Sequence, residues 1–340
     1  MKALVVTAPG QLSLQEIPMP RMGPYDCLVK IDACAICTGT DSDIIAGSFP
    51  WLNPYPFVLG HESTGLISAL GERVRRFRKG QRVTRPAAIY GGESAGGLFS
   101  TWGGFAEFGL VRDVDAAAQD GVPSSSMCSA SRNPLPEGLS PVEAALSINQ
   151  REILSVVRRM SLSAASTVVV IGSGYNGLLF ALFGKVFGAG RVVMAGSPGR
   201  QELATTRFRV DELVDYHHPQ VAQSILELAC DQPTEVIDAI GSVQSLALAR
   251  QVLKPGTAFG CYGVRDLNAT QAVRQELAGT HPVLDMTTDE AGCVEEWYQL
   301  WQAGFFAQPG MVDAILPLGE YRQAFDRLAK REAVKIVLSL

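Results

Sequence analysis

Long apolar runs are missing from this chain of 340 residues. No uninterrupted segment approaches the roughly 20 apolar residues that cross a bilayer, and the apolar part of the leading MKALVVTAPGQLSLQEI is too short for a signal peptide. No basic run with interleaved aromatics occurs, and 29 Lys and Arg against 34 Asp and Glu leave a net charge of -5, so nothing points to a nucleic-acid partner. A disulfide framework is excluded as well: the seven cysteines, at positions 27, 34, 37, 128, 230, 261 and 293, are odd in number and scattered. Most read as small buried hydrophobes. Histidine is scarce, four in all, so each one placed beside another metal-binding side chain carries weight. A soluble, cytoplasmic globular protein, long enough for two domains, is the expectation.

What is present is organised around residues 167–190, TVVVIGSGYNGLLFALFGKVFGAG. Val168, Val169, Val170 and Ile171 form the β-branched run of a strand covered on both faces. Gly172, Gly174 and Gly177 follow in G-x-G-x-x-G spacing, and the apolar stretch from Leu178 to Phe187 reads as a helix. In that context the first glycine permits the turn, the second lets backbone approach a pyrophosphate and the third lets helix pack on strand. The helix N-terminus then faces an anion. Tyr175 and Asn176, inside the turn, are counted as cofactor-binding with the glycines, as is Gly241 in the later VIDAIGS. About twenty residues past the glycines an acid would hold a free ribose 2'-hydroxyl. None is there: Ala195, Gly196, Ser197, Pro198, Gly199 and Arg200 offer small residues, a hydroxyl and a guanidinium. Ser197 and Arg200 suit a 2'-phosphate, which predicts NADP(H); the other reading of Arg200 is a solvated residue in the first turn of a helix.

The first 150 or so residues read as short strands, Ala3–Val6, Asp26–Ile31, Ser63–Leu70, Arg82–Thr84 and Phe105–Val111, punctuated by Gly and Pro. Alternating strands and helices follow, with strands at Val168–Ile171, Arg191–Met194, Glu212–Val214, Val236–Ile240 and Ala258–Tyr262 and a short last strand around 281–286. The fold class is therefore α/β: a β-rich domain over 1–152, a doubly wound parallel sheet of six strands over 153–290, and a C-terminal part over 291–340 that returns to the first domain. Ser124–Ser126 reads as a loop.

Cys37, His61 and Glu62 stand in ACAICTGTDSD and FVLGHESTG. Thiolate, imidazole and carboxylate suit zinc best among common metals, and three protein ligands with an open position describe a catalytic site.

Taken in order, CAIC-x-GTD at 34–41, GHES at 60–63, GERVRRFRKGQRV at 71–83, the glycine turn, VIDAIGS at 236–242 and LKPGTAFGCYG at 253–263 resemble the zinc-dependent medium-chain dehydrogenases and reductases, of the alcohol, sorbitol and glucose dehydrogenase kind, over nearly the full chain. The resemblance implies a GroES-like catalytic domain beside a Rossmann domain, one catalytic zinc, and hydride transfer between NADP(H) and a polyol, sugar or other secondary alcohol or ketone. It further implies that Thr40 is the catalytic hydroxyl, that Asp41 orients His61, that Glu62 is a ligand or a neighbour exchanging on and off the metal, and that the protein is a homodimer or homotetramer.

Three departures qualify it. Residues 87–102 lack the four cysteines of a structural zinc. Asp43 stands where many relatives carry a proton-relaying histidine. Ile148 occupies the place of a further ligand; Gln150 and Glu152 lie within a turn of it, and Glu152 is the carboxylate candidate, its other reading being a helix charge paired with Arg151 or Arg159. Two other functions stay open: a zinc-free quinone or enoyl reductase, against which Cys37, His61 and Glu62 argue, and a nucleotide-binding relative without turnover. The loops around 49–55 and 89–99 are where substrate specificity would lie.

Overall fold

The computed structural model describes residues 1–49, 55–100, 102–123, 134–230, 233–306 and 311–340. The loop expected at Ser124–Ser126, Cys128 and most of the 49–55 segment therefore lie outside the described residues. The described residues divide into two compact units, Met1–Asn149 with Val294–Leu340, and Gln150–Cys293.

The first unit opens with β1 (Lys2–Ala8), β2 (Gln11–Glu16) and β3 (Asp26–Ala35), a short helix α1 (Thr40–Ala46), then β4 (Phe57–Val58), β5 (Glu62–Leu70), β6 (Arg82–Thr84), the small hairpin β7 (Ser94–Ala95) and β8 (Leu98–Phe99), β9 (Phe108–Arg112) and helix α2 (Val114–Gln119). Helix α3 (Pro141–Val157) runs on into the second unit.

One sheet of the first unit has the order β2-β1-β4-β8-β7. Ala3, Val5, Val58 and Leu98 of this sheet pack with Ile17, Ala88 and Ile89 in one cluster, so apolar burial holds part of the 87–102 segment. Asp113 ties α2 to the segment before β6. It caps the helix through Ala116 N (3.0 Å) and accepts from Arg75 N and Arg76 N, both at 2.8 Å.

In the second unit, β10 (Thr167–Ile171), α4 (Tyr175–Val186), β11 (Arg191–Gly196), α5 (Gln201–Arg207), β12 (Glu212–Asp215), α6 (Val221–Leu228), β13 (Glu235–Asp238), α7 (Val243–Val252), β14 (Ala258–Cys261) and α8 (Leu267–Leu277) alternate as the sequence periodicity requires. The strands are parallel in the order β12-β11-β10-β13-β14, the doubly wound arrangement of a dinucleotide-binding sheet. Val169, Ile171, Val193, Val236 and Phe259 meet the apolar faces of α6, α7 and α8 in its core.

The expected sixth strand is not formed among the described residues. Segment 281–286 meets β14 only at a bridge, where Phe259 N donates to Pro282 O and Leu284 N to Phe259 O, both at 2.8 Å. Pro282 has no N–H with which to lengthen the ladder.

Helix α9 (Val294–Gln302), β15 (Ala314–Pro317), α10 (Tyr321–Ala329) and β16 (Ile336–Ser339) belong with the first unit. There β15-β16-β3-β5-β6 form the second sheet, and β9 pairs with β3. β16 runs antiparallel to β3 with Val337 opposite Ala35, and β3 runs antiparallel to β5 with Ala35 opposite Glu62. Three strands thus end side by side, and that register builds the site described next. Among the described residues no helix is long and apolar enough to cross a membrane.

Candidate metal centre and cofactor turn

Cys37 lies two residues beyond the end of β3, His61 one residue before β5, Glu62 at the first position of β5, and Lys335 one residue before β16. Because β3 pairs with both β5 and β16, these four positions converge. Ligand atoms of Cys37, His61 and Glu62 lie within 4.8 Å of one another, with Cys37 half-buried and the other two buried. Ligands about 2.0–2.3 Å from a tetrahedral zinc stand roughly 3.3–3.8 Å apart, so a small contraction would seat a divalent cation. Thiol, imidazole and carboxylate are the donor types zinc takes.

Asp41, on the first turn of α1 and fully buried, contacts two parts of this cluster. Its Oδ1 is 3.2 Å from His61 Nδ1 and its Oδ2 accepts from Cys37 N at 2.9 Å. Burial works against a charged His61, yet the Asp41 carboxylate, joined by Cys37, outweighs it and holds the imidazole well above its ordinary value. The backbone on the other side is pinned by Arg85, whose Nη1 donates to His61 O at 2.6 Å. Trp102 packs 5.3 Å from the imidazole, centroid to centroid. Thr40, the first residue of α1, is half-buried.

Glu62 is 0% exposed, and so needs partners for both oxygens. Oε1 is 3.8 Å from His61 Nε2 and accepts from Asn149 Nδ2 at 2.9 Å, while Oε2 is paired with Lys335 Nζ, which also donates to Asn149 Oδ1 at 3.0 Å. Burial raises the Glu62 carboxyl, and the Lys335 and His61 charges more than cancel that, so its net shift is downward. Sequence reading passed over Asn149 and Lys335. Neither has a motif spacing to flag it, being 87 and 273 residues from Glu62.

The other assigned residues fall elsewhere. Ile148 is fully buried. Glu152 is not in the cluster; it belongs to the second unit, where Oε2 accepts from Tyr262 OH at 3.1 Å. The arginines considered as its partners meet other acids: Arg151 reaches Glu290 at 3.8 Å and Arg159 reaches Asp285 at 3.5 Å.

The second unit carries the glycine turn. Gly172 sits at φ 114°, which only glycine adopts easily, and a Cβ on Gly177 would stand 2.0 Å from Gly172 O. Gly174 is exposed at the start of α4, with open space where a Cβ would point. Asn176 Oδ1 is buried and has no hydrogen-bond partner among the described residues. Open space above glycine N–H groups at a helix N-terminus, with an orphaned acceptor beside it, fits a pyrophosphate-bearing ligand. Tyr175 is buried, its ring edge-on to Phe208 at 6.4 Å.

At the end of β11 a Cβ on Gly196 would stand 2.5 Å from Ser173 Cβ, so no acid can occupy that position, and Ser197 N donates to Ser173 Oγ at 3.0 Å. Ser197 and Arg200 are half-buried on either side of exposed Pro198 and Gly199. An acid does stand on the neighbouring strand. Asp215 pairs with Gly196, and its Oδ1 is taken by His217 N at 2.9 Å. Gly241, at φ 69°, is held by Asp238 Oδ1 at 3.0 Å and packs so closely on Gly263 that a Cβ would meet its carbonyl at 2.2 Å.

A parallel dinucleotide-type sheet and a β-rich unit carrying a Cys-His-Glu cluster together define a dehydrogenase of two-domain type. Residues 23–119 match the alcohol dehydrogenase GroES-like domain family. The chain is 27% identical over 305 residues to an alcohol dehydrogenase of Cupriavidus necator, covering 82% of this chain and 81% of that protein. It is 26% identical over 276 residues to the NADP-dependent isopropanol dehydrogenase of Thermoanaerobacter brockii, covering 75% and 74%. The fold superimposes on alcohol dehydrogenase TADH from Thermus sp. ATN1 with a TM-score of 0.78 at 22% identity, over the whole of both chains. The chain thus carries an alcohol dehydrogenase GroES-like domain over residues 23–119, and along most of its length it is similar to alcohol dehydrogenases and shares their fold.

Proposed function

We propose that this protein is an NADP(H)-preferring, zinc-dependent dehydrogenase that interconverts a polyol, sugar or other secondary alcohol with its ketone. The observation that carries the proposal is the convergence of Cys37, His61 and Glu62 within 4.8 Å. Zinc would supply Lewis-acid polarisation of the substrate oxygen and the nicotinamide would supply hydride exchange. The chain's residues do the rest.

Cys37, His61 and Glu62 hold the metal. Asp41, by accepting from His61 Nδ1, leaves Nε2 its lone pair for a cation. Thr40, the first residue of α1 and three residues from Cys37, passes on the substrate hydroxyl proton, its Oγ1 accepting that proton as it gives up its own towards solvent. In the second unit, the backbone at Gly172, Gly174, Tyr175, Asn176 and Gly177 takes the pyrophosphate and Gly241 lies along the cofactor. Ser197 and Arg200 take the 2'-phosphate; support for NADP(H) comes from the missing acid at 195–197 and from the NADP-dependent relative.

Metal analysis of the purified protein with steady-state kinetics against NADP and NAD tests the reading. About one zinc per chain, lost in Cys37→Ala together with turnover, is expected. A zinc-free protein would favour a zinc-free reductase or a nucleotide-binding relative without turnover.

A further inference from the structure

Lysine is almost never fully buried unless paired, yet Lys335 is only 3% exposed and lies against a carboxylate that is 0% exposed. A buried ion pair of this kind is not an economical way to stabilise a fold, since well-packed apolar residues often do as well or better. The directions of the bonds suggest another role. Glu62 Oε2 is taken by Lys335 Nζ, and Asn149 bridges the pair by donating to Oε1 at 2.9 Å and accepting from Nζ at 3.0 Å. Only Oε1 faces His61 Nε2, at 3.8 Å. The ring Glu62–Asn149–Lys335 is closed, and it fixes the rotation of the carboxylate about its own axis.

We infer that Lys335 and Asn149 are positioning residues that present Glu62 to a bound metal by a single oxygen. This rests on the reading of Cys37, His61 and Glu62 as a metal site. A carboxylate free to turn can bind a cation through both oxygens, and the second would enlarge the shell to five and crowd the position that a catalytic site keeps open for substrate. Lys335 prevents this by occupying Oε2. Asn149 comes from helix α3, immediately after Ile148, so the helix that lacks a ligand of its own contributes to the centre by steering the ligand on β5.

The test is the visible spectrum of the full-length protein stripped of metal and reloaded with Co(II), whose absorption reports coordination number directly. The wild type should show a thiolate-to-cobalt charge-transfer band, from Cys37, and the intense d–d bands of a four-coordinate ion. Lys335→Met should keep the charge-transfer band while its d–d intensity falls by about half or more, as coordination expands. Lys335→Arg, which still engages Oε2, should restore the wild-type spectrum. If Lys335→Met does not fold, Asn149→Ala, which removes both the donor that holds Oε1 and the acceptor that anchors Lys335 Nζ over Oε2 and so frees the carboxylate to turn, carries the same expectation. Bound Co(II) with a wild-type spectrum in the folded Lys335→Met or Asn149→Ala protein would overturn the inference and leave the metal site standing. A wild type that takes up no Co(II) would overturn both.

Discussion

Arg200 and Cys37 each test a different half of the proposed chemistry. Under the proposal Arg200 takes a phosphate, not a hydroxyl, and a charge-assisted hydrogen bond of this kind contributes about 1.5–3 kcal/mol. Arg200→Ala should therefore lower kcat/KM for NADP by roughly tenfold or more while leaving that for NAD nearly unchanged. Equal losses with both cofactors would remove Arg200 from the phosphate site. Cys37 tests the other half, because its loss should strip the metal while NADP binding, measured by nucleotide titration, survives. Asp41 works on this scale too. It holds both the His61 ring and the Cys37 backbone, at 3.2 and 2.9 Å, so one carboxylate positions two of the three donors.

At the scale of elements, the strand-turn-helix β10–α4 has no room for a side chain at its third glycine. Gly177→Ala would force a Cβ to within 2.0 Å of Gly172 O, so the helix must lift from the strand. We expect loss of cofactor binding by nucleotide titration and a destabilisation of about 1–3 kcal/mol or more by denaturant unfolding, as for overpacked cores.

Helix α2 depends on a different device. Burial alone would raise the Asp113 carboxyl, but the N–H groups of Ala116, Arg75 and Arg76 outweigh burial and hold it below the ordinary carboxylate value. A depressed folded-state pKa means that the stabilisation is present above the unfolded value and is lost as pH falls through the folded one. Asp113→Asn should therefore cost about 1–3 kcal/mol at neutral pH, and the gap between it and wild type should close as pH falls below about 4. Urea unfolding of both proteins across that range measures it; a gap independent of pH would show that the charge contributes nothing.

For the molecule as a whole, the edge of the parallel sheet beyond β14 suggests an assembly. Segment 281–286 makes a single bridge there and leaves Val283 38% exposed. An edge of this kind invites pairing with a second copy. We expect a homo-oligomer, and light scattering at micromolar concentration checks it: a single species of 36.4 kDa would refute it. Pro282 makes the outcome informative, since a ladder donor is missing at the point where two edges would meet.

Much of the chain's character is written in local pattern. The β-branched run Val168–Ile171, the glycines at 172, 174 and 177 and the apolar helix after them can be read without tertiary information, because each depends on neighbours within a few residues. The same holds for Cys37, His61 and Glu62, whose donor types name a metal before any distance is known. What the tertiary structure alone decided is which of these groups face one another and through which atoms. Lys335 enters the centre only because β16 lies against β3 in one register, and Asn149 only because its place on α3 comes within hydrogen-bond reach of Glu62 at the start of β5. Glu152, two helical residues from Gln150, is drawn to Tyr262 instead. The sixth strand failed for a related reason: a missing N–H at Pro282 ends a ladder whose partner, Phe259 on β14, lies outside its own short stretch. Periodicity and donor chemistry are properties of short stretches, whereas pairing register and the partner of a buried charge are set by contacts tens to hundreds of residues apart.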